Sequence, residues 1–177
     1  MRTKFTFLFL ALTVAAAACS SNKILSSQNV EKPAVAEIAS APIRSVIESI
    51  AKQTKTTTTY TPEYIAIAYP NGDVPAETGA CTDVVIRSFR AAGVDLQKYF
   101  DRRGKSVPIT ATGEDYQPGD VVSWDLNGKG MTHIGVVSNL WKAGEKRHLI
   151  VHNIGSGVRA EDRLFEWKIT GHYRYFN

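Results

Sequence analysis

The chain has 177 residues, 44% of them hydrophobic, which suits one globular domain and is short for two. Its formal charge is +4, and Arg2 and Lys4 at the extreme N-terminus supply two of those positive charges. The remainder is nearly neutral, and no run of Lys or Arg interleaved with aromatics marks one face, so the composition argues against a nucleic-acid partner.

Residues 1–18 combine a basic tip, an apolar stretch from Phe5 and small residues at Ala16, Ala17 and Ala18 before Cys19. These are the parts of an export signal, and the stretch is shorter than the roughly 20 apolar residues that a membrane span requires. A plain cleaved signal peptide is one reading. The Ala-Ala-Ala-Cys sequence also resembles a bacterial lipobox, with Ala16 where leucine is usual, which implies that Cys19 becomes the lipidated first residue. Ser20 after Cys19, by the same resemblance, implies an exported, periplasm-facing lipoprotein of the outer membrane. Residues 19–41 are rich in Ser, Asn, Lys, Ala and Val without a sustained period, and read as a flexible tether.

The domain is expected over residues 42–177. Ile43, Val46, Ile47 and Ile50 share one face of a helix that opens near Pro42. Thr54 to Tyr60 reads as a short strand or a loop, and Tyr69 to Pro75 as a surface loop dense in turn formers. Val84, Val85, Ile86 and Phe89 alternate with Asp83, Arg87, Ser88 and Arg90, predicting an amphipathic helix from Cys81 to a glycine stop at Gly93. Turn, strand, turn, strand then follow: a turn at Tyr116–Asp120, a strand at Val121–Trp124, a turn at Asn127–Gly130 and a strand at His133–Val137. A polar connection from Trp141 to Arg147 precedes a third strand at His148–His152, and two or three short strands are expected between Val158 and Tyr175. The order predicts an α+β fold with a helix packed on an antiparallel sheet.

With Cys19 lipidated, Cys81 is the only remaining thiol and has no disulfide partner. A cysteine that opens a helix meets free N–H groups and the positive end of the helix dipole, which favour the thiolate. Such a nucleophile needs an imidazole to exchange a proton with it, and that imidazole needs a polar partner to orient it. His133 begins one strand and His152 ends the next, so an antiparallel hairpin brings both to one edge beside Cys81. Cys plus two His also suggests zinc, but no Cys-x-x-Cys or His-x-x-x-His pair supports a metal site, and no cofactor is expected. Asp73, Glu77 and Asp83 are candidate substrate-binding acids, with solvated turns or a helix cap as the plainer readings. Thr82 or the Cys81 N–H is a candidate oxyanion donor, and His172 a structural hydrogen-bonding residue.

Gly79-Ala80-Cys81-Thr82-Asp83, Pro118 to Val122, His133 to Val137 and Val151-His152-Asn153 come in the order found in NlpC-type cysteine peptidases, which are papain-like peptidases and amidases. More narrowly, Tyr69 to Arg87 and Gly171 to Tyr175 resemble the family called domain of unknown function 1287. The resemblance implies a papain-like fold, with Cys81 as nucleophile, His133 as base and His152 as the third member. Ala80 and Thr82 flank the cysteine where that group has Asp and Ser. It further implies amide hydrolysis in the peptide stems of peptidoglycan, with the membrane reached only through the anchor at Cys19. The alternatives are a thiol esterase or acyltransferase acting on lipid, and a non-catalytic envelope-binding lipoprotein.

Overall fold

The computed structural model describes residues 30–31, 40–99 and 105–176. The expected signal segment, Cys19 and most of the expected tether lie outside the described residues. Within residues 19–41, Val30–Glu31 forms a short strand, β1, paired antiparallel with the strand segment at Trp141 and Lys142. No helix among the described residues is long and apolar enough to cross a membrane.

Helix α1 (Ala41–Thr56) begins where the Ser40 hydroxyl accepts the Ile43 N–H and Pro42 occupies the first turn. Its Val46, Ile47 and Ile50 are buried. Two short parallel strands, β2 (Thr59–Tyr60) and β3 (Thr78–Gly79), bracket the long loop between them. Helix α2 (Cys81–Ala91) then buries Val84, Val85, Ser88 and Phe89, which fall on one stripe. Gln53 of α1 reaches across to the Ser88 hydroxyl at 3.0 Å and the Val84 carbonyl at 3.2 Å, so a polar lock supplements the apolar contact between the helices. A short helix α3 (Leu96–Tyr99), strand β4 (Lys105–Ser106) and a 3-10 turn (Gly113–Asp115) lead to the main strands.

Those strands are β5 (Val121–Asp125), β6 (Thr132–Lys142), β7 (Arg147–Asn153), β8 (Val158–Glu161) and β9 (Lys168–Arg174). They form one sheet in the order β4-β9-β5-β6-β7-β8, and its pairs are antiparallel. The α+β expectation holds. Strand β6 runs further than its sequence suggests, through Trp141 and Lys142, so the polar connection there shrinks to a 3-10 turn at Ala143–Glu145.

Alternation sorts the strand residues onto two faces. Val121, Val136, Val151 and Val158 pack with α1 and α2 in one cluster. Val122, Trp124, Val137 and Ile150 pack with Tyr116 and Leu164 in a second cluster on the opposite face. Full burial of side chains of this size stabilises by roughly 1.5–3 kcal/mol each. The sheet is therefore covered on both faces, and the start of β6 is clamped between the helices and the Trp124 cluster.

Candidate active site

Cys81 is the first residue of α2, and three features hold it there. Asp83 accepts the Ala80 N–H at 2.7 Å, the acid half of a capping box. Gly79, at φ +149, lets that carboxylate close over the backbone, because a Cβ there would lie 3.1 Å from Asp83 Oδ2. Asn153, fully buried at the end of β7, donates to the Gly79 carbonyl at 2.8 Å and pins the segment to the sheet.

The ladder shows why the thiol meets β6 where it does. Val137 exchanges hydrogen bonds with the β5 side, through Asp120 O and Gly119 N, so by alternation the Ile134 N–H points to the β7 side. Pairing with β7 starts only at Val136–Val151, which leaves the Ile134 N–H outside the ladder. The half-buried Cys81 thiol takes it up, and the N–H groups of Thr82 and Cys81 itself also face the sulfur.

His133, one residue earlier, sends its ring to the other face. It stacks on Trp124 with ring centroids 5.8 Å apart and meets Trp167 edge-on at 5.9 Å. Its Nε2 lies 2.9 Å from His152 Nδ1. The register that makes this contact leaves room only for glycine at 135, where a Cβ would sit 2.7 Å from Ile150 Cγ2 and 3.2 Å from His152 Cβ. His152 Nε2 in turn lies 3.1 Å from Glu161 Oε2. Cys81, His133 and His152 thus collect at the start of β6, although no hydrogen bond joins the Cys81 sulfur to the His133 ring. The sulfur approaches from the helical side of the strand edge and the imidazole from the tryptophan side.

Burial dominates the electrostatics. It pushes the Cys81 thiol up, against the N–H groups of Ile134, Thr82 and Cys81 that pull the other way, and the Asp83 carboxylate adds to the rise. Burial, then the neighbouring His152, pushes His133 down to about 4. Burial also lowers His152, outweighing Glu161, which acts in the opposite direction. The expectation of a resting thiolate is therefore corrected: near neutral pH the site holds a thiol and two neutral imidazoles. The helix-start donors are present, but losing water costs the thiolate more than they return.

The other anticipated residues separate. Thr82 is exposed and lines a cleft of about 450 Å³ together with Asp83, Glu63, Tyr64 and Gln97. Asp73 is held by Arg87 at 2.8 Å, an interaction that ties the 69–75 loop to α2. Arg87 also donates to the Val74 and Thr78 carbonyls. Glu77 is exposed, and its carbonyl accepts the Thr58 and Thr59 N–H groups beside β3. His172 is fully buried between Asp120 and the Pro108 carbonyl, as a structural residue would be. Glu161, Gly135 and Asn153 had not been singled out as site residues. Asn153 closes a quoted motif, whereas nothing local to Glu161 marks it. Among the described residues no group of three or more His, Cys, Asp or Glu is arranged to hold a metal ion.

The chain is 37% identical over 180 residues to "Uncharacterized protein YijF" of Escherichia coli (strain K12), an alignment covering 81% of this chain and 87% of that one. Two solved structures share its fold, NlpC1 and NlpC2 from Trichomonas vaginalis, with TM-scores of 0.53 and 0.52 at 14% and 15% identity. Each comparison covers 78% of this chain but only 45% and 48% of the NlpC chains, so the protein spans about half their length. Residues 47–101 and 96–175 match the family described as "Domain of unknown function (DUF1287)", and the chain belongs to that family, on an NlpC-like, papain-like fold.

Proposed function

We propose that the protein is a cell-envelope cysteine hydrolase that cleaves an amide bond in peptidoglycan stem peptides through a thiol acyl-enzyme. The observation that carries this reading is the 2.9 Å contact between His133 Nε2 and His152 Nδ1, placed one residue from the backbone N–H that holds the Cys81 thiol. Imidazoles in series beside a helix-start cysteine suit proton transfer.

In this mechanism Cys81 is the nucleophile, His133 the base and His152 its orienting partner. Because the resting pair is neutral, the Cys81 proton passes to His133 Nδ1 as the sulfur attacks the substrate carbonyl. Apo sites often hold such bonds long and tighten them only when substrate binds. The tetrahedral oxyanion forms next to the first turn of α2, where the Cys81 and Thr82 N–H groups stabilise it. The His133 imidazolium then gives its proton to the leaving amine as the C–N bond breaks, leaving a thioester. Water, deprotonated by the same ring, hydrolyses the thioester and restores the thiol.

The 450 Å³ cleft flanking Ala80 and Thr82 suits an extended peptide, with Asp83 and Glu63 offering carboxylates and Tyr64 a fully presented ring. Asp73, engaged by Arg87, and Glu77 act in this reading through the loop that borders the cleft. We further propose export and attachment to the outer membrane by lipid on Cys19, which places the enzyme beside this substrate. One feature favours a second reading, thiol esterase or acyltransferase chemistry on lipid: a crevice of about 180 Å³ between Val85, Ile86, Leu96 and Ile134.

The test is incubation of the purified protein with peptidoglycan, and separately with acylated lipid, followed by mass spectrometry of the products, with Cys81→Ser as the blank. Stem-peptide fragments that need Cys81 support the proposal. Acyl release from lipid alone would replace it with the second reading, and identical products from wild type and Cys81→Ser would end both.

A further inference from the structure

We infer that Glu161 is a positioning residue that sets where the protons sit on both imidazoles of the His133–His152 pair. Its catalytic consequence rests on the hydrolase reading, whereas its test does not.

Two neutral imidazoles facing each other at 2.9 Å share one proton between His133 Nε2 and His152 Nδ1. If His133 holds it, His133 Nδ1 is bare and able to accept a proton from Cys81. If His152 holds it, neutral His133 carries its proton on Nδ1, and the base is blocked. Nothing within the pair selects between these states. The far end of the chain does.

His152 is 1% exposed, and its Nε2 makes no well-aligned hydrogen bond to any described residue. The polar atom facing it is Glu161 Oε2 at 3.1 Å, close enough for an ion pair though off the line of an ideal bond. A carboxylate only accepts, so a bare Nε2 would set a lone pair against a negative oxygen, while a protonated Nε2 makes a charge-assisted contact. Glu161 therefore favours the proton on His152 Nε2. That bares His152 Nδ1, obliges His133 to donate from Nε2, and leaves His133 Nδ1 basic.

The strand register builds this arrangement. His152 pairs with Arg159, so Glu161 is the diagonal neighbour of His152 on the same face of β7 and β8. Arg163 Nε stands 3.5 Å from Glu161 Oε2 and also pairs with Glu166. The charged groups that act on His152 are Glu161, Arg163 and Glu166, Arg159 is its cross-strand partner, and His133 lies on the other side. Glu161 is 28% exposed, so water reaches it on the side away from the buried ring.

Ring-nitrogen NMR of the full chain with isotopically labelled histidine tests this directly, because four histidines can be assigned by single replacements. Near neutral pH the wild type is expected to show His152 protonated on Nε2 and His133 protonated on Nε2. Glu161→Ala should bring the two tautomers of His152 to comparable populations. Glu161→Gln should restore the wild-type pattern, since an amide oxygen accepts the same proton. A wild-type His152 protonated on Nδ1, or tautomers unchanged by Glu161→Ala, would overturn the inference. If Glu161→Ala fails to fold, the wild-type and Glu161→Gln spectra still decide it. A protein with the expected tautomers and no hydrolytic product would sink the proposed function alone.

Discussion

His152 and His172 are both buried in the same sheet, and each faces a carboxylate, yet the two arrangements have opposite character. Asp120, 1% exposed, accepts from His172 Nε2 at 2.8 Å, from Arg174 at 2.8 and 2.7 Å, and from the Gln117 N–H at 2.9 Å. His172 Nδ1 meets the Pro108 carbonyl, and Tyr116 stacks on its ring with centroids 4.2 Å apart. Nothing in that cluster has a vacant place, and it ties β9 to the loop before β5. The His152 cluster is instead an open series that runs from a partly exposed carboxylate, Glu161, through His152 to His133, whose Nδ1 has no partner in it. A saturated hydrogen-bond network resists change, whereas an open series leaves the placement of its protons to its partners. Burial of histidine is common to both, so burial alone does not separate the saturated cluster from the open one.

The largest expected effect comes from breaking the saturated cluster. Asp120→Ala leaves His172 and Arg174 without their acceptor, and loss of one partner of such a buried set costs about 3–5 kcal/mol. Urea denaturation should show that loss, and Glu161→Ala, acting on the open series, should fall well below it. Comparable losses would erase the distinction between the clusters.

Acidification comes next. His133 is pushed down to about 4 in the folded protein, below its ordinary value near 6.5. The unfolded chain therefore takes up a proton between those values that the folded chain refuses. Its contribution is fully present above about pH 6.5 and is lost as pH falls towards 4, an effect of about 3 kcal/mol. His152, lowered in the same direction, adds to the acid sensitivity. Denaturation midpoints followed over this window should fall for wild type and fall less for His133→Gln. Equal slopes would mean that the ring is not held neutral.

Gly135→Ala probes the approach of the two strands. The added methyl meets Ile150, a fully buried β-branched side chain, at 2.7 Å, so the neighbour cannot step aside cheaply. A loss of about 1–3 kcal/mol is expected, with a lengthened His133–His152 contact as its structural sign. Gly144, where an added Cβ meets nothing within 4 Å, serves as the control, and equal effects at both sites would remove the steric argument.

The smallest effect concerns Cys81 itself. A thiol raised by burial carries less thiolate near neutral pH than a small free thiol, whose value is about 8.5. Alkylation with iodoacetamide near neutral pH should be slower than that of the free thiol, and should climb through the alkaline range. Fast labelling in mild acid would restore the resting thiolate and remove the neutral pair.

Much of the architecture was legible because it is written in local periods. The spacing of Val84, Val85 and Phe89 defines α2 wherever it packs, and turn formers at Asn127–Gly130 and an alternating run after His133 define a hairpin. Even the meeting of His133 with His152 was legible, since consecutive antiparallel strands bring one start beside the next end. Glu161 was not, because its role depends on the β7–β8 register, and an acid on a strand looks like any solvated acid until that register is known. The partner of Asp73 was hidden for a related reason: the sequence shows an acid on a turn, and only the fold reveals Arg87 beside it.

The sequence by itself determined that a cysteine opens a helix and that two histidines share a hairpin edge, because both follow from residue order and short-range geometry. Only the tertiary structure decided their protonation. The apolar cover over His133 comes from Trp124 and Trp167, outside its own strand, and no local pattern records how much water they exclude. Desolvation is a property of the assembled environment. It outweighs the helix-start donors that the local sequence places at the sulfur, and so it sets a neutral pair where sequence reasoning puts a thiolate.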